Sequence, residues 1–99
     1  MARLRHFAVC VSDLDKSAQF YNSVFGFKRH GREDLPIGSA VYMGDGTINL
    51  ALLNFKGTKG HDFGDKPEGQ IGANHFGFQV ANMKETQAVI EANGGKFFF

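Results

Sequence analysis

The chain has 99 residues, a net charge of +1, 42% hydrophobic residues and 21% charged residues. This length fits one globular domain, the scattered charges argue against a nucleic-acid partner, and no apolar run has the length of a membrane span or a signal peptide. The single cysteine, Cys10, excludes an intramolecular disulfide, so we expect a cytoplasmic protein. Eleven Phe and no Trp predict a Phe-lined core or pocket.

The first half of the chain predicts a strand, a helix and three further strands. From 4 to 11, residues alternate with the period of a strand, which places His6, Ala8 and Cys10 on the face opposite the bulkier side chains. Asp13 is predicted to cap a helix that ends at Gly26. The apolar stripe predicted for this helix consists of Leu14, Ala18, Tyr21 and Phe25, with Phe20 and Val24 beside it. Strands are predicted at 27–33, 39–43 and 47–53, with a tight turn at 44–46.

The second half restarts the same pattern after a linker. Residues 55–71 are rich in Gly, Lys and Asp and show neither helical nor strand periodicity. Loops this long tend to be functional or mobile, and His61, Asp62 and Asp65 are candidates to approach a site. A strand is predicted at 73–80 and a helix at 83–92, ended by the Asn-Gly-Gly at 93–95.

A shift of 69 positions superimposes His6 and its surroundings on His75 and its surroundings. His, Phe and Val are identical in the two segments, which predicts a duplicated module. The first module covers 1–54, whereas the second, 72–99, is much shorter. Because residues 96–99 resemble the opening of a strand, we interpret the second module as truncated rather than degenerate. Unpacked phenylalanines at that end would favour a partner chain.

Two histidines at equivalent repeat positions are a candidate metal site. Neutral imidazole binds Zn, Ni, Mn or Fe, and two histidines plus one carboxylate leave coordination positions open for a substrate. The alternative is that each is an ordinary surface or core histidine. A third ligand is not evident. The strand at 47–53 turns one of two sets of side chains towards a cavity, either Ile48, Leu50 and Leu52 or the less bulky Asn49, Ala51 and Leu53. Asn49 is thus a candidate cavity residue but is uncharged, and Cys10 is better explained as a small buried hydrophobic residue.

Several motifs resemble the vicinal oxygen chelate superfamily, which includes glyoxalase I, extradiol dioxygenases and bleomycin resistance proteins. They are His6 followed by Val-Ser-Asp-Leu at 11–14, Ser17 with Phe-Tyr at 20–21, Phe-Gly-Phe at 25–27, and Asn-His-Phe-Gly-Phe at 74–78. The resemblance implies an α+β fold in which residues 1–99 form one domain of two β-α-β-β-β modules, the second incomplete, in a cupped mixed sheet.

The resemblance also implies site residues. His6 and His75 match metal-ligand positions, whereas Asn49 lies where glyoxalase I members carry a glutamate, which argues against lactoylglutathione lyase activity. The glutamate ligand of other members belongs to a strand that would follow Phe99. Tyr42, Asn49, Phe63 and Gln79 are candidate substrate-pocket residues.

Two functions remain open from the sequence. The first is a metal-dependent lyase or dioxygenase acting on a small substrate chelated through two vicinal oxygens, with Fe, Mn, Zn or Ni as the cofactor, held weakly or not at all by this chain. The second is a metal-free binding protein similar to bleomycin resistance proteins, which Asn49 and the many phenylalanines favour. Either is expected to work as a homodimer, with strand exchange between subunits as one arrangement.

Overall fold

The computed structural model describes residues 2–55 and 71–97, which form one five-stranded mixed sheet and two helices. The elements follow the order β1 (Arg3–Cys10), α1 (Leu14–Phe25), β2 (Lys28–Leu35), β3 (Gly38–Gly44), β4 (Asn49–Phe55), β5 (Gly72–Gln79) and α2 (Met83–Ala92). The predicted strands and helices are all present, with ends displaced by at most two residues. The predicted linker lies outside the described residues except for its two ends, and so do Phe98 and Phe99. Residues 95–97 belong to no strand.

The order of strands across the sheet is β2-β3-β4-β1-β5. β1 lies between β4, to which it is parallel, and β5, to which it is antiparallel. β1 and β5 are the first strands of the two predicted modules. Their antiparallel pairing is the arrangement that a local twofold axis between two related modules requires, and it brings the two histidine strands side by side.

Helix α1 has the capping residues that the sequence predicts. The Asp13 carboxylate accepts a hydrogen bond from the backbone N–H of Lys16 at 3.0 Å, which satisfies one of the free donors at the start of the helix. Gly26 ends the helix with φ of 75°, a left-handed conformation that glycine adopts without steric cost. Both ends of α1 are therefore determined by local chemistry.

The hydrophobic core lies between α1 and one face of the sheet. Leu14 and Ala18 of the helix pack against the sheet, where Val41 and Leu52 are completely buried. The rest of the buried cluster is Met43 and Leu50, with Val9, Val11, Tyr21 and Phe27 partly buried around it. Aliphatic side chains thus supply most of the burial that stabilises the first module.

The sequence predicts a Phe-lined core or pocket. Within the described residues the buried core contains no Phe, whereas Phe76, Phe78 and Phe97 line an exposed groove. Phe20, Val24 and Phe25 were predicted on or beside the buried stripe of α1, yet all three are more than half exposed. The sheet covers only the narrow stripe through Leu14, Ala18 and Tyr21. The aromatic rings beyond it pack on one another, with Phe20 and Phe25 edge to face at 6.2 Å.

Helix α2 differs from α1 because none of its residues is buried. Between α2 and the adjacent face of β5 lies an apolar groove that includes Phe76, Phe78, Met83, Ile90 and Phe97. All five side chains are at least half exposed. Among the described residues, no strand covers this groove as β3 and β4 cover α1. No helix in the part of the chain that the structure describes is long and apolar enough to cross a membrane.

Candidate functional site

The imidazole rings of His6 and His75 meet on the face of the sheet opposite α1. Their Nε2 atoms lie 3.2 Å apart and their ring centroids 5.1 Å apart. The strand register explains the contact: His6 pairs with Gly77 and His75 pairs with Ala8, so the two histidines are diagonal neighbours. Diagonal pairs are within reach of long side chains, and their small cross-strand partners leave room for both rings.

Gly77 lies against the side chain of His6. A Cβ atom added at Gly77 would lie 3.4 Å from Cβ of His6 and 3.8 Å from its ring carbon Cδ2, which are ordinary van der Waals distances. An alanine therefore fits at this position, whereas a longer side chain would compete with the imidazole for the space over β5.

The side chain of Asn74 sets the orientation and tautomer of His75. Its amide oxygen Oδ1 lies 2.8 Å from Nδ1 of His75, so Nδ1 carries the proton and donates. In a neutral ring that carries its proton on Nδ1, the lone pair of Nε2 is directed towards His6. This is the tautomer in which Nε2 can bind a metal ion, and metal-binding histidines are commonly held by such a second hydrogen bond.

The two Nε2 atoms fit one shared metal ion. Two imidazole nitrogens that bind the same zinc at tetrahedral angles lie about 3.3–3.4 Å apart, close to the observed separation. Within 2–55 and 71–97, no group of three or more His, Cys, Asp or Glu side chains surrounds a common point. The described residues thus offer two imidazoles. The Asn49 amide is a candidate third donor, because Asn49 is the register partner of His6 across β1 and β4.

A cavity of about 270 Å³ opens beside the histidine pair, on the same face of the sheet. Two small residues, Ala40 and Ala51, line its floor, and both are buried. The other walls are mostly apolar and include Leu35, Ile37, Leu53 and Phe55. A small ligand held at the histidines would therefore extend over the alanines into an apolar space.

Tyr42 and Glu33 form the polar wall across the cavity from the histidines. The Tyr42 hydroxyl donates to Oε1 of Glu33 at 2.8 Å. This hydrogen bond, together with partial burial and the negative charge of Glu33, raises the pKa of Tyr42, so the phenol keeps its proton at neutral pH. The cavity thus has imidazole nitrogens at one end and a carboxylate with a phenol at the other.

The family model of the Glyoxalase/Bleomycin resistance protein/Dioxygenase superfamily matches residues 3–98. The chain belongs to this superfamily. No curated protein matches the sequence. The α+β fold predicted from the sequence is confirmed by the mixed sheet with two helices and by solved structures of the same fold.

Solved structures show the same fold at low sequence identity. A methylmalonyl-CoA epimerase in complex with methylmalonyl-CoA and NH4+ is 18% identical, with a TM-score of 0.70 over 100% of this chain and 74% of its own. A variant of the Streptomyces coelicolor methylmalonyl-CoA epimerase is 19% identical, with a TM-score of 0.68 over 98% and 75% of the two chains. A hypothetical protein from Bacillus halodurans C-125 is 20% identical, with a TM-score of 0.68 over 94% and 69%.

The structure places the sequence-predicted site residues of this superfamily member as follows. His6, His75 and Tyr42 line the cavity. Asn49 and Gln79 do not; together with Gly77 and the two histidines they line a separate shallow hollow. Cys10 is buried, as expected for a small hydrophobic residue. Phe63, His61, Asp62 and Asp65 lie outside the described residues.

Sequence reasoning missed three polar residues at the site. Glu33 and Ser39 line the cavity, and Asn74 contacts His75. Alternation along β2 would assign Glu33 to the cavity face, because it pairs with Ala40 while its neighbour Arg32 pairs with Val41 of the core. A register shift between Arg29 and Gly31 interrupts that alternation and obscures the signal. Asn74 precedes His75 directly, and a polar residue beside a candidate ligand is a usable signal for a supporting hydrogen bond.

Proposed function

We propose that this protein is a metal-dependent enzyme that acts on a small substrate chelated through two vicinal oxygens. The observation that carries the proposal is the 3.2 Å approach of the His6 and His75 Nε2 atoms at the mouth of a cavity. Membership of a superfamily that includes glyoxalases and dioxygenases supports it. Lyase, ring-cleaving and isomerase chemistry all remain compatible with such a site.

His6 and His75 would hold a divalent Fe, Mn, Zn or Ni ion, with the amide oxygen of Asn49 as a neutral third donor. When bound, the metal would supply a Lewis acid that polarises two adjacent substrate oxygens. Asn74 holds the His75 tautomer that leaves Nε2 available. The apolar walls at Leu53 and Phe55 exclude water from the substrate, which strengthens electrostatic contacts to it.

The test is a metal titration of the purified protein. Co²⁺ gives visible absorption when nitrogen ligands bind it, and we expect binding to the unchanged chain and loss of binding in His6→Ala and in His75→Ala. His30 is the matched control, because it lies on exposed β2 and does not line the cavity. His30→Ala should therefore bind Co²⁺ like the unchanged protein. Equal Co²⁺ binding by all four proteins would refute the proposed site.

The second candidate is a metal-free small-molecule binding protein. The observation that favours it is the donor set: the described residues supply two imidazoles and no carboxylate beside them. In that case the His6 Nε2–H donates to Nε2 of His75 and the pair is a polar anchor within the cavity. Calorimetry separates the candidates, since a chelating hydroxamate that binds equally well with and without Co²⁺ would favour the metal-free function.

We also propose that the protein is a cytoplasmic homodimer. The lone Cys10 supports a reducing compartment, and the exposed apolar groove beside α2 supports association between copies. Exchange of strands between subunits is one way for a second copy to cover that groove. The two modules, 1–54 and 72–99 with the linker 55–71 between them, would then form one domain.

A further inference from the structure

Glu33 is the only Asp, Glu, Lys or Arg side chain that lines the cavity within the described residues. One of its carboxylate oxygens, Oε1, accepts the hydrogen bond from Tyr42. The second oxygen is left available to a ligand. Among the described residues Glu33 forms no ion pair with a basic side chain. A carboxylate of this kind at the wall of a partly apolar cavity attracts hydrogen-bond donors and cations and repels other anions.

The neighbouring arginine does not neutralise Glu33. Arg32 pairs with Val41, which belongs to the core on the α1 side of the sheet. There it forms ion pairs with Asp34 at 3.1 Å and with Asp15 at 3.8 Å. Because successive side chains of a strand point to opposite faces, the positive charge of Arg32 lies behind the sheet while Glu33 faces the cavity.

The strand register gives the distance that a ligand must span between the histidines and Tyr42. Tyr42, Ala51, Ala8 and His75 are successive register partners across β3, β4, β1 and β5. Three strand spacings place the outer two Cα atoms about 14 Å apart. The phenol and the imidazole both reach inward from these positions, which leaves space for a chelating group and a chain of about four carbons.

We propose that Glu33 and Tyr42 form a specificity end of the cavity, which selects ligands that present a hydroxyl or amine donor there and rejects ligands that present a carboxylate. The proposal rests on the proposed function for the opposite end, where the two histidines and their metal hold the chelating oxygens. It narrows the substrate class to neutral or cationic compounds with two vicinal oxygens at one end and a donor group at the other.

The test compares three hydroxamates that share a four-carbon chain and end in an ammonium, a methyl or a carboxylate group. Affinities are measured by calorimetry with and without Co²⁺, and the Co²⁺ absorption spectrum reports chelation separately. We expect the ammonium compound to bind about three- to fivefold more tightly than the methyl compound, and the carboxylate compound to bind most weakly.

The variant is Glu33→Gln, which keeps an acceptor for Tyr42 but removes the charge. It should bind all three compounds with affinities within about twofold of one another. The matched control, Glu85→Gln, removes the same charge from α2, outside the cavity, and should keep the original order of affinities. Urea midpoints of both variants establish that each is folded.

The outcomes separate this inference from the proposed function. Equal affinities of the three compounds for the unchanged protein would overturn the specificity end, as would an order of affinities that survives in Glu33→Gln. If no hydroxamate alters the Co²⁺ spectrum, chelation at the histidines is wrong. The calorimetry without Co²⁺ then still decides whether Glu33 orders the three compounds.

Discussion

The amide of Asn74 matters at the residue scale because it decides which nitrogen of His75 is available to a metal. Its Oδ1 accepts from Nδ1 of His75 at 2.8 Å, so removing it frees the ring to rotate and to exchange tautomers. We expect Asn74→Ala to weaken metal affinity about tenfold or more, as is typical when a supporting hydrogen bond of a ligand histidine is lost. Competition with a coloured chelator measures the change.

Two further variants serve as controls for Asn74→Ala. Asn74→Asp keeps an oxygen acceptor for Nδ1 and should retain most of the metal affinity. Asn93→Ala removes a comparable amide at the end of α2, where its side chain donates to the Val89 carbonyl, and should leave metal affinity unchanged. A loss of affinity in Asn93→Ala as large as that in Asn74→Ala would show that the effect is a general one.

The carboxylate of Asp45 makes a pH-dependent contribution to the stability of the protein. In the turn between β3 and β4 its carboxylate accepts hydrogen bonds from the backbone N–H groups of Ile48 and Thr47, which lower its pKa. A lowered pKa in the folded state stabilises the protein above the unfolded-state value, and this contribution is lost as the pH falls through the folded-state value. When the pH is lowered beneath about 4, we expect the urea concentration at the unfolding midpoint to decrease. The decrease with pH should be less steep in Asp45→Asn. Identical pH profiles would contradict this role.

The sequence predicts the histidine pair better than the rest of the site. The 69-residue repeat makes His6 and His75 equivalent before any contact is known, because related strands place related side chains on one face. Glu33 could not be assigned in the same way, since the register shift in β2 breaks the alternation on which such an assignment depends. Its pairing with Tyr42 follows from cross-strand register, which sequence alone does not specify.

At the scale of elements, the two helices make an unequal contribution to stability. α1 buries Leu14 and Ala18 against the sheet, whereas α2 buries nothing among the described residues. Val41→Ala and Val89→Ala are the same chemical change, one at a fully buried strand residue and one at a residue 60% exposed on α2. We expect losses of about 2–3 kcal/mol in the free energy of unfolding for the first and less than about 0.5 kcal/mol for the second. Urea denaturation measures both, and equal losses would mean that the surface of α2 around Val89, which does not line the groove, is covered in solution.

The helices and strands can be predicted from the sequence because nearby residues determine where they begin and end. Asp13 caps the start of α1 and Gly26 caps its end, and period-two alternation indicates the strands. The buried face of α1 was predicted too broadly, since helical periodicity does not reveal how wide the facing sheet is. That width depends on which strands pair, which is a property of the whole fold.

At the scale of the whole molecule, the two edges of the sheet differ in charge. β2 carries Lys28, Arg29, Arg32, Glu33 and Asp34, and such charged side chains discourage pairing with another chain. β5 has no Asp, Glu, Lys or Arg, and within the described residues it pairs only with β1. The β5 side, together with the apolar groove beside α2, is therefore the surface at which we expect a second copy to associate.

Light scattering at increasing protein concentration measures this association. We expect a dimer for the unchanged chain and a shift to monomer for Phe78→Lys, which places a charge in the groove. Phe20→Lys is the matched control, because Phe20 is similarly exposed but lies on α1, away from the groove. A monodisperse monomer for the unchanged protein at high concentration would refute the dimer.

The position of β5 at the margin of the sheet also bears on how ligand binding would be detected. β1 is hydrogen-bonded along both sides, so its amide protons should exchange slowly with solvent. Within the described residues of one copy, β5 is hydrogen-bonded along one side and should open more often. An ion shared by His6 and His75 would join the loosely held strand to the firmly held one. Hydrogen–deuterium exchange should therefore slow on Co²⁺ addition mainly in β5, so that this strand reports occupancy of the site even when no substrate is known.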